Sequence, residues 1–280
     1  MNLTSYNTES LHGEVDCPGD KSISQRIVII GSLLNYDMHV NGFLNAQDPI
    51  STVNALNSIG SSIFINENKV TLKKREVMFK DPQQELNLGN SGTGARLLLG
   101  LISGLGLRLT MTGDSSLEKR PMNRVIKPLK MMGAKLSSDT GMLPIRTSGS
   151  KIINNFEYEM PIASAQVKSC LLFAALSSKK NIKITEPKIT RDHTERMIEF
   201  FGGEILYENN QNSKKIQLNY SELEPKNSFD VPGDFSSAAF IIVATIMVIG
   251  IGIPTGVWMS KSNRAQAVIT PILDFMQTLP

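Results

Sequence analysis

Four stretches of the chain repeat one pattern of apolar and polar positions. Each has a few extended residues, then a bend rich in Gly, Pro and Ser, then an apolar run of helical length. They are VDCPGDKSISQRIVIIGSL from Val15, LNLGNSGTGARLLLGLI from Leu86, YEMPIASAQVKSCLLFAAL from Tyr158 and FDVPGDFSSAAFIIVATIM from Phe229. The bends begin near Pro18, Leu88, Pro161 and Pro232, a period of about 70 residues. Self-similarity at a fixed period marks one supersecondary unit used several times.

The intervals repeat as well. A second extended stretch follows each apolar helix: MHVNGF, LRLTMTG, NIKITEP and IGIPTGVWM. A second helix is predicted after it. In the first unit Asp48 is the expected cap and Pro49 the first helical residue. Ile50, Val53, Leu56 and Ile59 share one face, and Gly60 ends the helix. The second unit has Pro121, Val125, Ile126, Leu129, Met132 and Gly133 in the same order. In the third, Asp192 and Glu195 read as a capping box ahead of Met197, Ile198, Phe201 and Gly202. Alternating pairs then predict hairpins: Ile63 and Ile65 turning at Asn66–Asn68 into Val70 and Leu72, and Ile205 and Tyr207 turning through Asn209–Asn212 into Ile216 and Leu218. The unit is thus β-α-β-α-β-β, an α/β chain of the α+β type. Three units are complete. The fourth stops after its second helix at Pro280, with Pro271 expected to kink that helix, so the chain reads as truncated or altered at its end.

Composition narrows the function classes. A net charge of +3 over 280 residues argues against a nucleic-acid coat or a polybasic membrane anchor. Two cysteines, Cys17 and Cys170, argue against a disulfide framework or a four-ligand zinc site and fit free thiols in a reducing compartment. The N-terminus lacks the basic and apolar regions of a signal peptide. The run from Phe240 to Trp258 is long enough to span a bilayer, but Gly250, Gly252, Pro254 and Gly256 interrupt it. The repeat favours a buried helix plus a strand there.

The bends carry the candidate chemistry. A helix that opens from a Gly-rich bend presents unpaired N–H groups and the positive end of its dipole, a ready anion site. In the first bend Lys21, Ser22 and Arg26 offer a point charge, a hydroxyl and a guanidinium suited to a phosphorylated ligand; a solvated helix end is the plain alternative. Gly89–Gly94 is so small that backbone can approach a ligand, or it is simply a turn. Lys119 and Arg120 add cations, unless they are a solvated pair. Ser164 and Gln166 can hydrogen-bond a polyol, with an ordinary N-cap as the alternative. Capping accounts for Asp192 and Glu195 but not for Arg191 or His193, the latter most simply a surface histidine. No His/Cys cluster has metal spacing, and no Ser-His-Asp set or dinucleotide fingerprint stands out.

Taken together, PGDKSISQR, NLGNSGTGARLL, LEKRPMNRVIKPL, PIASAQVKSCLL, EPKITRDHTERM and VPGDFSSAAF resemble the 5-enolpyruvylshikimate-3-phosphate (EPSP) synthase family, in order, from about Gly13 to Phe240. The nearest likeness is to the bacterial branch with SAQVKS and TRDHTE. The resemblance implies the enolpyruvyl transferase fold, with two domains of such units closing on two substrates. Residues 18–230 would form one complete domain; 1–17 and 231–280 would belong to a second, incomplete one. It implies enolpyruvyl transfer from phosphoenolpyruvate to the 5-hydroxyl of shikimate 3-phosphate, in the shikimate pathway, by a cytoplasmic monomer. No metal or organic cofactor, nucleic acid or membrane is implied, and glyphosate is the implied inhibitor. Lys21 would be catalytic and touch both substrates. Ser22, Arg26, Ser164, Ala165, Gln166 and Arg191 would hold shikimate 3-phosphate. Gly92, Arg120 and Gln166 would belong to the phosphoenolpyruvate pocket. Gln25 stands where the family usually has His or Asn. The family's Asp-Glu general acid/base motif, its Lys-Glu-Ser-Asp-Arg stretch and its His-Arg pair are not in this sequence, so the chain alone is expected to be inactive, a remnant that only binds shikimate 3-phosphate. The enolpyruvyl transferase acting on UDP-N-acetylglucosamine, of the same fold, lacks the Ser-Ala-Gln and Thr-Arg-Asp-His-Thr-Glu pattern.

Overall fold

The computed structural model describes residues 14, 16–210, 213–247, 250 and 253–262. The chain divides into two units, Gly19–Pro232 and Met1–Pro18 with Gly233–Pro280.

The larger unit repeats one motif three times. The first copy is α1 Lys21–Leu34, β1 Met38–Asn41, α2 Gln47–Ser58, β2 Ser62–Asn66 and β3 Lys69–Lys73. The second is β4 Leu86–Asn87, α3 Gly92–Leu105, β5 Arg108–Thr112, α4 Asn123–Met131, β6 Ala134–Ser137 and β7 Ile145–Ser150. The third is β8 Phe156–Glu159, α5 Ala165–Ser178, β9 Ile182–Glu186, α6 His193–Phe200, β10 Glu204–Asn210 and β11 Ser213–Asn219, after which β12 spans Ser228–Asp230.

The three sheets share one strand order: β12-β1-β3-β2, β4-β5-β7-β6 and β8-β9-β11-β10. The first pair in each is parallel and the other two are antiparallel. In the second and third sheets the first place is taken by the strand that leads into the copy's own central helix. In the first sheet it is taken by β12, which pairs Ser228 with His39. The last strand of the unit thereby closes its first sheet.

Helices α1, α3 and α5 are the core. Their middle residues are buried nearly all round, as a run such as Ile27–Ile30 or Leu97–Leu99 requires. Strands β1 and β6 alternate buried and exposed residues, the pattern of a sheet with one wet face. Helices α3 and α5 lie in backbone contact. A Cβ on Gly100 would fall 2.0 Å from the Cys170 carbonyl oxygen, and one on Gly104 would fall 2.4 Å from that of Ala174.

Some expectations need correction. Helix α2 starts before its expected cap: Ala46 is the N-cap, and Asp48 lies inside the first turn. Its carboxylate is engaged by Lys21 at 3.2 Å, and Pro49 is tolerated where no backbone donor is needed. The capping box at α6 does not form. Asp192 takes Arg196 at 2.8 Å, and Glu195 is drawn 2.7 Å from the buried Lys168 ammonium, a stronger partner than a backbone N–H.

In the smaller unit, Asp234 opens α7 Phe235–Met247, and its backbone N–H bonds to the Pro18 carbonyl. This helix was expected to be buried, yet none of its residues is; Phe240 is 80% exposed. No strand lies among the unit's described residues to cover it. The strand expected over Ile251–Met259 is instead helix α8, Ile253–Lys261, with Pro254 in the first turn where its missing donor costs nothing. The fourth unit's second helix with Pro271, and the turn residues Gln211 and Asn212, lie outside the described residues. No described helix is long and apolar enough to cross a membrane.

Candidate functional site

The first turns of α1, α3 and α5 meet at one cavity. Each helix is capped by a side-chain oxygen: Asp20 accepts from Ile23 N at 2.8 Å, Ser91 from Gly94 N at 3.2 Å and Ser164 from Val167 N at 3.4 Å. The starts of α3 and α5 carry hydroxyl caps and no acidic residue in the first turn, so no carboxylate of their own offsets the dipole there; at α1 the Asp20 cap does.

The cavity has a volume of about 330 Å³. Ser22 and Arg26 line it from α1, Thr93 from α3, residues 163–166 from the start of α5, and Thr190, Arg191 and His193 from the β9–α6 connection. A second cavity of about 170 Å³ is lined by Arg96, Pro121, Arg124 and Val167 and shares Ser164 and Gln166 with the first.

Arg26 is almost fully buried. It donates from Nε to Thr194 Oγ1 at 2.8 Å, from Nη1 to the Ser22 carbonyl at 2.9 Å and from Nη2 to Ser169 Oγ at 3.0 Å. Burial lowers its pKa to about 10, with Glu195 and Asp20 opposing the shift, so it stays a cation at neutral pH. Burial also lowers Arg96, and repulsion from Arg120 and Arg124 adds to that. Arg96 Nη1 donates to the Gly92 carbonyl at 3.0 Å and to Gln166 Oε1 at 3.1 Å. Gln166 Nε2 in turn donates to Thr93 Oγ1 at 3.0 Å. Arg120 donates to Asn90 Oδ1. Among the described residues, no carboxylate is ion-paired with Arg26, Arg96, Arg120, Arg124 or Arg191. A cluster of unneutralised guanidiniums beside three helix starts is suited to an anion with more than one charged group.

Ser22, Arg26, Ser164, Ala165, Gln166 and Arg191 therefore share one cavity. Gly92 and Arg120 lie next to the second: a Cβ on Gly92 would sit 3.0 Å from Arg120 Nη1 and 3.2 Å from Arg96 Nη1. Lys21 lines neither cavity. Its half-exposed ammonium is 3.2 Å from Asp48, a surface pair weak enough for an incoming anion to displace. Gln25 is fully buried and joins three elements, its Nε2 reaching Ser91 Oγ at 2.7 Å, Thr52 Oγ1 at 3.1 Å and the Asp48 carbonyl at 3.3 Å.

The sequence analysis does not single out Arg96, Arg124, Thr93 or Thr190, which also line the two cavities. The signal for Arg96 was present, since α1, α3 and α5 each carry a cation in their opening turns: Arg26, Arg96 and Lys168. His193 was read as a surface residue, but it lines the cavity half-buried; burial foremost, then Arg26, lowers its pKa and keeps the ring neutral near pH 7. Among the described residues no cluster of His, Cys, Asp and Glu is placed to hold a metal ion.

A family model described as EPSP synthase (3-phosphoshikimate 1-carboxyvinyltransferase) matches residues 6–277. A 3-phosphoshikimate 1-carboxyvinyltransferase of Petrotoga mobilis is 43% identical over 251 residues, covering 88% of this chain and 57% of the relative. One of Bartonella quintana is 38% identical over 249 residues, 88% of this chain and 56% of the relative. The chain thus spans little more than half the length of these relatives. A solved EPSP synthase from Acinetobacter baumannii superposes with a TM-score of 0.72 at 39% identity, over 82% of this chain and 52% of that one.

Proposed function

The chain belongs to the EPSP synthase (3-phosphoshikimate 1-carboxyvinyltransferase) family, and from that premise we propose that it serves enolpyruvyl transfer from phosphoenolpyruvate to the 5-hydroxyl of shikimate 3-phosphate. In that reaction the hydroxyl oxygen bonds to C2 of phosphoenolpyruvate while C3 takes a proton. The attacking oxygen gives up its own proton, and the tetrahedral intermediate then expels phosphate and releases a proton from C3, leaving the enol ether. The observation that carries this reading is the convergence of three helix starts and Arg26 on one polar cavity, with a second arginine-lined cavity beside it.

Shikimate 3-phosphate is both an anion and a polyol. The Arg26 and Arg191 guanidiniums and the α1 start suit its phosphate, and Ser164 and Gln166 suit its hydroxyls. Arg96, Arg120 and the Gly92 bend suit phosphoenolpyruvate, which carries the same phosphate and carboxylate groups on a smaller frame. Such fixed donors also suit the charge that develops in the tetrahedral intermediate. Lys21, released from Asp48, is the group able to serve both ligands. The same reading makes the protein a cytoplasmic monomer; the two free thiols fit a reducing compartment.

Binding is the first test. Arg26→Ala is expected to weaken shikimate 3-phosphate binding to the purified chain by about tenfold or more, the loss of a charged hydrogen-bonding group, as read by titration calorimetry. Unchanged affinity in a folded variant rules the assignment out. Glyphosate would take the phosphoenolpyruvate cavity. A methyl at Gly92 would press on the Arg120 and Arg96 guanidiniums, which can yield slightly for a short ligand but not for a longer one. Gly92→Ala, in a chain extended to the relatives' full length, is therefore expected to raise the glyphosate inhibition constant more than KM for phosphoenolpyruvate. Equal losses for both ligands contradict this.

A further inference from the structure

Lys168 is a fully buried ammonium that lines neither cavity. It lies in the first turn of α5, and its Nζ meets both Glu186 oxygens at 3.2 and 3.1 Å and Glu195 Oε1 at 2.7 Å, with all three side chains at 0% exposure. Glu186 ends β9 and Glu195 lies in the first turn of α6. One cation therefore grips both ends of the connection formed by residues 187–192, which carries Thr190 and Arg191 to the cavity.

That connection has little else to fix it. Among the described residues no backbone–backbone hydrogen bond involves residues 187–191. Its interior tie is Thr190 Oγ1, which donates to Glu186 Oε2 at 2.6 Å. On the far side, Ser169 and Thr194, the neighbours of Lys168 and Glu195, hold Arg26: Thr194 Oγ1 donates to Ser169 Oγ at 2.7 Å, and both accept from the guanidinium. A buried ion network is weak evidence for stability, because apolar replacement of the whole set is often neutral, whereas removing one partner alone is costly.

We propose that Lys168 is a positioning residue for the anion cavity, clamping the β9–α6 connection through Glu186 and Thr190 so that Arg191 faces the ligand. The effect on ligand rests on the shikimate 3-phosphate reading above; the clamp itself does not. The test pairs Lys168→Met with Glu186→Leu in one variant, which removes one charge of each sign and keeps the volume. Limited trypsin cleavage after Lys188 and Arg191 is expected to run about tenfold faster than in the wild-type chain, and the shikimate 3-phosphate dissociation constant to rise about tenfold. In an Arg191→Ala background the paired variant is expected to cause no further loss of affinity, an outcome that a merely structural role does not produce. Glu186→Gln keeps an oxygen for Lys168 and an amide donor for Thr190, and is expected to stay near wild type. If the paired variant does not fold, Thr190→Val cuts the tie alone and is expected to show the same faster cleavage. Wild-type cleavage in every folded variant overturns the clamp. So does an unchanged dissociation constant in the paired variant. A wild-type chain that fails to bind shikimate 3-phosphate overturns the proposed function instead, and the cleavage comparison still decides the clamp.

Discussion

Lys168→Met alone is expected to lower the unfolding free energy of the chain by about 3–5 kcal/mol at neutral pH, the cost of stranding buried charge without its partner. The variant leaves Glu186 and Glu195 at 0% exposure with no ammonium between them. Two buried carboxylates this close cannot both ionise cheaply. The loss should therefore depend on pH in a defined direction. Burial already pushes the Glu195 carboxyl up from 4.5, against the pull of Lys168. Without Lys168 it moves higher still, while in the unfolded chain it keeps its ordinary value. The folded variant then holds a proton that the unfolded chain releases. Its deficit is full above the raised folded value and shrinks as the pH falls toward the unfolded one. Urea unfolding of both chains at about pH 5 and about pH 8 reads this directly. The same deficit at both pH values would mean that lost packing, not stranded charge, is the cause.

The second large effect is expected at Gly100, where alanine should cost about 3 kcal/mol or more, the upper range for overpacking. The added Cβ would fall 2.0 Å from the Cys170 carbonyl oxygen and 2.8 Å from its carbon, so the obstacle is the backbone of α5. Nothing there can rotate away; α3 and α5 must separate. Gly31 is the matched comparison. Its Cβ would meet the tips of Leu72 and Met38 at 2.6 Å, and these are flexible side chains. Gly100→Ala should thus lower stability clearly more than Gly31→Ala in parallel denaturation curves. Equal losses would show that the two helices are not locked together at this crossing.

Much of the site was legible beforehand because its physics is local. A bend followed by an apolar run dictates a helix start, and a helix start dictates exposed N–H groups, whatever surrounds it. Hence the bends point to Ser22, Arg26, Ser164 and Gln166, the resemblance adds Ala165 and Arg191, and the fold brings all six to one cavity. Arg96 escapes that reading because the bend ends at Gly94 and the residues after it are read only for their apolar run. Glu195 departs from its expected capping role for a deeper reason. A Glu three residues after an Asp is an ordinary capping pattern, and only the packing of α5 against β9 and α6 brings it to the buried Lys168 ammonium. Once buried, the carboxylate gains more from an ammonium at 2.7 Å than from a capping N–H.

By itself the sequence determined the repeating unit, the helices that form the core and the ends at which their charges gather, because hydrophobic period and helix polarity act over a single turn. The tertiary structure alone decided what spans long separations. It placed β12 beside β1, Ser228 against His39, in the slot that the other two sheets fill with the strand just before their own helix. Any short extended segment can satisfy a parallel edge, so nothing local distinguishes β12 from a strand near Val15. It also left α7 exposed, Phe235 at 76% and Phe240 at 80%, although its composition is that of a buried helix. An apolar run shows what a helix needs to bury. Whether a facing surface lies within reach is a property of the fold, because burial takes two surfaces.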